Sequence, residues 1–335
     1  MTAFLTKVHS IIEKGAQTIF KNLTLKMLKR CKYDLLSFQS HCRAWYLQTF
    51  LSQSERETLA AMLQSTGPLA EVKVLITIPV RKLGNPHCFF DHFLRDFLTH
   101  TANPEDVLLF IAVDEDDDLP FYLKLKEQYQ QSLNIRFFVS GEKSGYQGTL
   151  NLHVKMLELN TSGFLAWVLG SSDMQPCCVG WDVNLLSAIN EHSGALFVGG
   201  GPEERAGIIH GPFPEDDCPV YWVGTDDYPI ASKTLLDILF DYENWPDGWT
   251  PIGCSWHIDG FFGELIRHLF QIERQDIFLK APQIFIERDP RGWLGNKDRE
   301  SLRNSVLTSF FELDKQMVMS KLAQKISAIN PVREY

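Results

Sequence analysis

From Glu71 onward, short β-rich apolar runs alternate with helix-length amphipathic segments, and this alternation restricts the fold more than any other feature of the chain. "VKVLITIPV" (72–80), "VLLFIAVD" (107–114), "IRFFVSG" (135–141) and "GFLAWVLG" (163–170) have strand length and nearly continuous apolarity. Between them, "CFFDHFLRDFLTH", "FYLKLKEQYQQS" and "TLNLHVKMLEL" each carry an apolar stripe at helical spacing. Strands of a parallel sheet read as unbroken apolar runs because crossover helices bury both faces. The expectation is an α/β domain with a mostly parallel sheet sandwiched by helices. "ALFVGGG" (195–201) adds a strand, and 297–329 reads as an amphipathic helical tail.

The segment before this alternation is different. Phe4, Val8, Ile11 and Ile12, then Leu23, Met27 and Leu28, recur at three- and four-residue spacing with lysines between them, and "STGPL" (65–69) marks a turn and boundary. Residues 1–70 carry nine Lys/Arg against four Asp/Glu, whereas the remainder carries 23 against 38. The expected division is a basic helical extension over 1–70 and a main domain over 71–335. Two readings of the extension stay open: a helical cap on the main domain, or a peripheral contact with a membrane surface or a protein. An acidic main body argues against nucleic acid as chief partner, since neutralising phosphates supplies most of that affinity.

With 44% hydrophobic and 12% aromatic residues, 335 residues can fill a substantial core. The longest apolar runs fall short of the roughly 20 residues that span a bilayer, so no transmembrane helix is expected. Lys7, His9, Glu13 and Lys14 interrupt the first apolar positions, which speaks against a signal peptide and for a cytoplasmic protein. Seven cysteines, an odd number at scattered spacings, fit buried free thiols better than a disulfide framework.

In doubly wound sheets, ligands sit outside the carboxyl ends of the strands. Here those ends carry Pro79 and Arg81, then "DEDDD" (114–118), then "GEKSGYQG" (141–148), then "SSD" (171–173). Neither GxGxxG after the first strand nor GxxxxGK[ST] anywhere is present, so these polar tips match neither the Rossmann fingerprint nor a P-loop. An aspartate fixed at a strand terminus is a hard oxygen ligand suited to Mg²⁺ or Mn²⁺, and such an ion can neutralise a diphosphate leaving group. Asp173 is therefore either a metal ligand or a solvated turn residue.

In order and spacing, "ITIPVR", "AVDEDDD", "SGYQGTLN", "SSDMQPCCVGWD", "YPIAS" and "WHIDGFFGELI" resemble the motif series of the GT-A glycosyltransferases, particularly the synthase-type family. The resemblance spans residues 72–289 and implies a nucleotide-sugar half over 71–200, an acceptor half over 201–296 and a helical region over 297–335. It implies that Pro79, Val80 and Arg81 lie against the nucleotide and that Asp114 and Asp116 accept hydrogen bonds from its base or ribose. Glu115, Asp117 and Asp118 are expected in a solvated turn. Lys143, Gly145, Tyr146 and Asn151 fall where the family has a nucleotide-side loop, and Ser171 and Ser172 replace acidic residues of its metal motif. Asp173 then holds Mn²⁺ or Mg²⁺. Where the family has a histidine the chain carries Glu287, Arg288 and Asp289: Glu287 or Asp289 is a second candidate ligand, or Arg288 neutralises phosphate without a metal. Trp181 reads as core packing, and Asp182 as a helix-start residue favoured by the dipole.

Asp259 lies where the family places its acidic base, which removes a proton from the acceptor hydroxyl during an inverting transfer. Trp249 and Trp256 belong to a Gly/Pro-spaced aromatic set able to form a sugar-stacking wall, and His257 neighbours it on the acceptor side. The function implied is transfer of a sugar from a nucleotide-diphosphate sugar to a hydroxyl of a glycan, lipid or protein. Because the metal motif is reduced to "SSD", a catalytically silent sugar-nucleotide or glycan-binding module is the rival reading, with a nucleotidyltransferase behind it.

Overall fold

The structure is a computed structural model that describes residues 35, 38–66, 71–83, 88–140, 163–170, 172, 174–176, 178–191, 194, 197–199, 230–239, 278–280, 285–287 and 315–329. The chain divides into two compact units, Met1–Ser52 with Lys82–Pro86, and Gln53–Arg81 with His87–Tyr335. In the first unit, residues 38–50 are helical.

The second unit is built on a seven-stranded sheet. Its strands are β1 (Val74–Val80), β2 (Val107–Asp114), β3 (Asn134–Ser140), β4 (Ala166–Leu169), β6 (Phe197–Gly199), β7 (Ile230–Ser232) and β8 (Phe278–Lys280). A separate antiparallel ribbon pairs β5 (Met174–Pro176) with β9 (Phe285–Glu287). The spatial order of the large sheet is β3-β2-β1-β4-β7-β6-β8. Pairs β3/β2, β2/β1, β1/β4 and β6/β8 are parallel, while β7 runs antiparallel between β4 and β6. This is the expected class, a mostly parallel α/β sheet with flanking helices.

The apolar runs explain why these segments are interior strands. All eight residues of β2 are buried, which requires cover on both faces of the sheet. The cover comes from amphipathic helices. Helix α2 (Phe90–His100) buries Phe90, Phe93, Leu94 and Phe97, and α3 (Leu119–Tyr129) buries Leu119, Tyr122, Leu125 and Tyr129. Both sets follow the three- and four-residue spacing of a single helical face. Helix α1 (Gln53–Leu63) packs on α3 and β3, α4 (Trp181–Asn190) on β4, and α5 (Lys233–Leu239) on β4 and β7, with α6 (Lys315–Ile329) against α5.

Chain order decides where a ligand can enter. From β1 the chain steps outward to β2 and β3, then returns to place β4 on the other side of β1. Crossovers leaving β1 on opposite sides open a crevice at the strand carboxyl ends, the switch point at which such sheets bind ligands. Here the switch lies between β1 and β4.

Candidate functional site

The best-defined chemistry at this edge starts with Arg81, the residue after β1. Parallel register pairs Val80 with Val113, so one step further the chain sets Arg81 beside Asp114, the last residue of β2. Arg81 Nη1 donates to Asp114 Oδ2 at 2.7 Å and to Asp116 Oδ1 at 3.0 Å, and Nη2 donates to Asp116 Oδ2 at 3.2 Å. Exposure is graded across the cluster. The Asp114 side chain is 5% exposed, that of Asp116 30% and that of Arg81 37%, so one carboxylate is interior and the rest faces solvent.

Electrostatics follow from that gradient. Burial pushes the Asp114 pKa up to about 6, against the pull of the Arg81 guanidinium. For Arg81, burial works against the charge, yet the carboxylates of Asp116, Asp117 and Asp114 together hold its pKa above the ordinary arginine value. One guanidinium faces three carboxyl groups. The cluster therefore accepts hydrogen bonds more readily than it attracts a phosphate, because the Arg81 donors already point at Asp114 and Asp116.

The rest of the acidic run is structural, which differs from the expected solvated turn. Asp117 is buried and accepts from the Tyr122 hydroxyl at 2.7 Å; burial first, and then the charge of Asp117, holds the Tyr122 pKa well above the usual phenol range. Asp118 is buried as well and caps α3 by accepting from Phe121 N at 3.3 Å. A signal for this was present in "DLPFY": an aspartate followed by Pro120 in the first helical turn is an N-cap pattern. Glu115 accepts from Gln53 Nε2 at 3.2 Å near the surface. These bonds fix the turn that carries Asp116.

On the other side of the crevice, β4 ends at Gly170, whose N–H donates to Thr77 O at 2.8 Å and so carries the β1/β4 ladder one residue further. A Cβ at Gly170 would meet Met174 Sδ at 2.8 Å and Ile78 Cγ1 at 3.0 Å. A side chain here would require Met174 to shift and Ile78 to give by a few tenths of an ångström. Below it, Trp167 Nε1 donates to the buried Thr77 hydroxyl at 3.0 Å, locking β4 to β1. Ser172 is buried. In the ribbon that follows, Met174 pairs with Glu287, which sets the Glu287 backbone level with the residue after position 173.

Among the nucleotide-side residues expected from the sequence, Arg81, Asp114 and Asp116 come together directly. Pro79 is half-buried, and Val80 belongs to the core cluster, so Val80 supports the site from beneath. Lys143, Gly145, Tyr146, Asn151, Ser171, Asp173, Trp249, Trp256, His257 and Asp259 lie outside the described residues, as does the Glu287 side chain. Among the described residues there is no cluster of three or more metal-ligating side chains.

"GWD" is a structural anchor. Gly180 adopts φ 73°, the left-handed region, and its N–H donates to His100 O at 2.7 Å. Trp181 is fully buried, donates to Thr101 Oγ1 at 3.0 Å and packs on Phe97 and Phe285. Asp182 accepts from Ala102 N at 2.9 Å and Asn103 N at 2.8 Å, a bond pair that the dipole argument from sequence missed.

No protein-family model matches the chain, and no curated protein matches it. Solved structures do. Staphylococcus aureus TarS 1-349 in complex with UDP-GlcNAc is 12% identical over 52% of this chain and 48% of that one, with a TM-score of 0.33. Glucosyl-3-phosphoglycerate synthase from Mycobacterium tuberculosis, in complex with Mn²⁺, UDP and glucosyl-3-phosphoglycerate, is 11% identical over 75% of this chain and 80% of that one, with a TM-score of 0.40. A 4-diphosphocytidyl-2C-methyl-D-erythritol synthase is 16% identical over 71% of this chain and its whole length, with a TM-score of 0.35. Scores this low leave the reading of the site to its own residues.

Proposed function

We propose that the chain is a glycosyltransferase that binds a nucleotide-diphosphate sugar in the crevice at the β1/β4 switch and passes the sugar to a hydroxyl acceptor. The observation that carries this reading is the Arg81–Asp114–Asp116 cluster at the carboxyl ends of β1 and β2. A half-open, net acidic cluster beside a switch-point crevice suits the N–H and O–H donors of a nucleoside base or ribose. The diphosphate, in turn, needs a cation from elsewhere, because Arg81 is already bridged to two carboxylates.

Asp173 and Glu287 are the proposed source of that cation site. Asp173 immediately precedes Met174 in sequence, and Met174 pairs with Glu287 in the β5/β9 ribbon; two carboxylates suit Mg²⁺ or Mn²⁺, which typically complete their coordination with water and substrate phosphates. The ion would neutralise the charge developing on the leaving diphosphate. Lys143, Gly145, Tyr146 and Asn151 are proposed for the donor side. Asp259 is proposed as the base for an inverting transfer, with Trp249, Trp256 and His257 toward the acceptor, whether glycan, lipid or protein. Residues 71–200 then form the donor half and 201–296 the acceptor half.

A thermal-shift screen with UDP-, GDP-, CMP- and dTDP-sugars, each with and without Mn²⁺, tests the reading. One donor class should raise the melting temperature, as expected for a ligand that binds only the folded state. Asp114→Asn should weaken that shift, and Asp173→Ala should remove its Mn²⁺ dependence. Loss of all donor response would overturn the proposal. Donor binding with no sugar transferred or hydrolysed would favour the silent module, and pyrophosphate release from a nucleoside triphosphate would favour a nucleotidyltransferase.

A further inference from the structure

Outside the proposed site, the helix over 38–50 presents Phe38, Cys42, Trp45, Tyr46 and Phe50 along one face. Their spacing of four, three, one and four residues is that of a single helical stripe. Phe38 is 65% exposed, Trp45 63% and Phe50 59%, whereas Leu47 is buried. The rings contact one another: Trp45 and Phe50 meet edge-on with centroids 6.0 Å apart, and Tyr46 and Phe50 at 5.0 Å. Single exposed apolar residues are ordinary, but a contiguous aromatic stripe is a recognition surface.

Charge decides what kind. Residues 35–54 contain no Asp or Glu, and just before them stand Lys21, Lys26, Lys29, Arg30 and Lys32, with Asp34 as the lone acidic residue between 21 and 43. Lys32 stands six positions before Phe38, so the basic run adjoins the stripe in sequence. Aromatic side chains that enter the headgroup boundary, next to cations that meet anionic headgroups, are the two components of peripheral membrane binding.

We propose that this aromatic stripe, with the basic segment preceding it, docks the protein on an anionic lipid surface. The proposal is independent of the glycosyltransferase reading. It is tested by sedimenting the full chain with vesicles of phosphatidylcholine alone and with vesicles of equal parts phosphatidylcholine and phosphatidylserine. The expected result is binding to the mixed vesicles only, weakened by added salt. The triple variant Phe38→Ser, Trp45→Ser, Phe50→Ser should bind at least about tenfold more weakly, given the apolar surface each ring buries. A second variant, Lys29→Glu with Arg30→Glu, leaves the stripe intact and should also lose binding. Equal recovery with both vesicle types, no binding to either, or parental binding by both variants would overturn the proposal. So would a parent that is dimeric by light scattering and made monomeric by the triple variant without loss of vesicle binding, which would assign the stripe to a second copy. The readout involves no donor and no turnover, so its failure cannot be confused with failure of the enzymatic reading.

Discussion

At the scale of single residues, burial makes Asp114 sensitive to solution pH. Its pKa of about 6 in the folded protein lies above the ordinary 3.8, so the native state binds a proton that the unfolded chain has already lost. Stability contributed by that proton is present at low pH and falls as pH rises from about 4 to about 6. Urea unfolding should show this loss, on the order of 2 kcal/mol, and Asp114→Asn should flatten it. Ligand binding should show the opposite slope. If the carboxylate accepts from the donor nucleotide, calorimetric affinity should drop as pH falls below about 6, and the asparagine variant should be weak at every pH.

Gly170 makes a steric prediction at the same scale. A methyl group there meets the Met174 sulfur and the Ile78 side chain inside normal contact distance, so Gly170→Ala should cost about 1–3 kcal/mol in denaturant unfolding. Met174 is the flexible neighbour. Shortening it in the double variant should recover part of the loss, and additive losses would contradict the assigned clash.

At the scale of elements, polar side chains fasten helices and strand edges that apolar packing alone leaves adjustable. β3 ends the sheet on one side, and an uncovered edge strand invites pairing with another chain. The segment after α1 covers it: Phe137 N donates to Ser65 Oγ at 3.0 Å and Val139 N to Gln64 Oε1 at 2.9 Å. Lys126 of α3 donates to Met62 O and Leu63 O, closing the carboxyl end of α1. Gln64→Ala should therefore speed hydrogen exchange at Val139 while leaving the centre of β2 protected. Asp182 joins α4 to the segment after α2 in the same manner. Asp182→Ala leaves two backbone N–H groups without their acceptor and should destabilise by about 3 kcal/mol in denaturant titration, with Asp182→Asn intermediate.

At the scale of the whole molecule, strand order is what turns scattered polar tips into one candidate site. The tips of β1 and β2 meet because those strands are parallel neighbours in a register that sets Arg81 beside Asp114. β4 reaches the other side of β1 only because the chain crosses back over the sheet. Among the described residues, no helix is long and apolar enough to cross a membrane.

Much of this was legible in the sequence. The runs at 72–80, 107–114, 135–141 and 163–170 gave β1 to β4, and the stripes after the first and second gave α2 and α3, because periodicity and apolar content are local properties. Of the three-residue strands, only β6 lay in a run read as a strand: β5, β7, β8 and β9 are too short for a period, and they are strands only because a partner's backbone completes their hydrogen bonds. The acidic run shows the same division. Its composition marked a polar strand tip, but five neighbouring residues look alike in sequence, and burial alone sorted Asp117 and Asp118 into the framework and left Asp116 at the surface. Local patterning thus determined which segments are strands and helices and which chemistry stands at their ends. Tertiary structure decided which ends are neighbours and which carboxylate pairs with Arg81, since both depend on contacts between residues more than thirty positions apart.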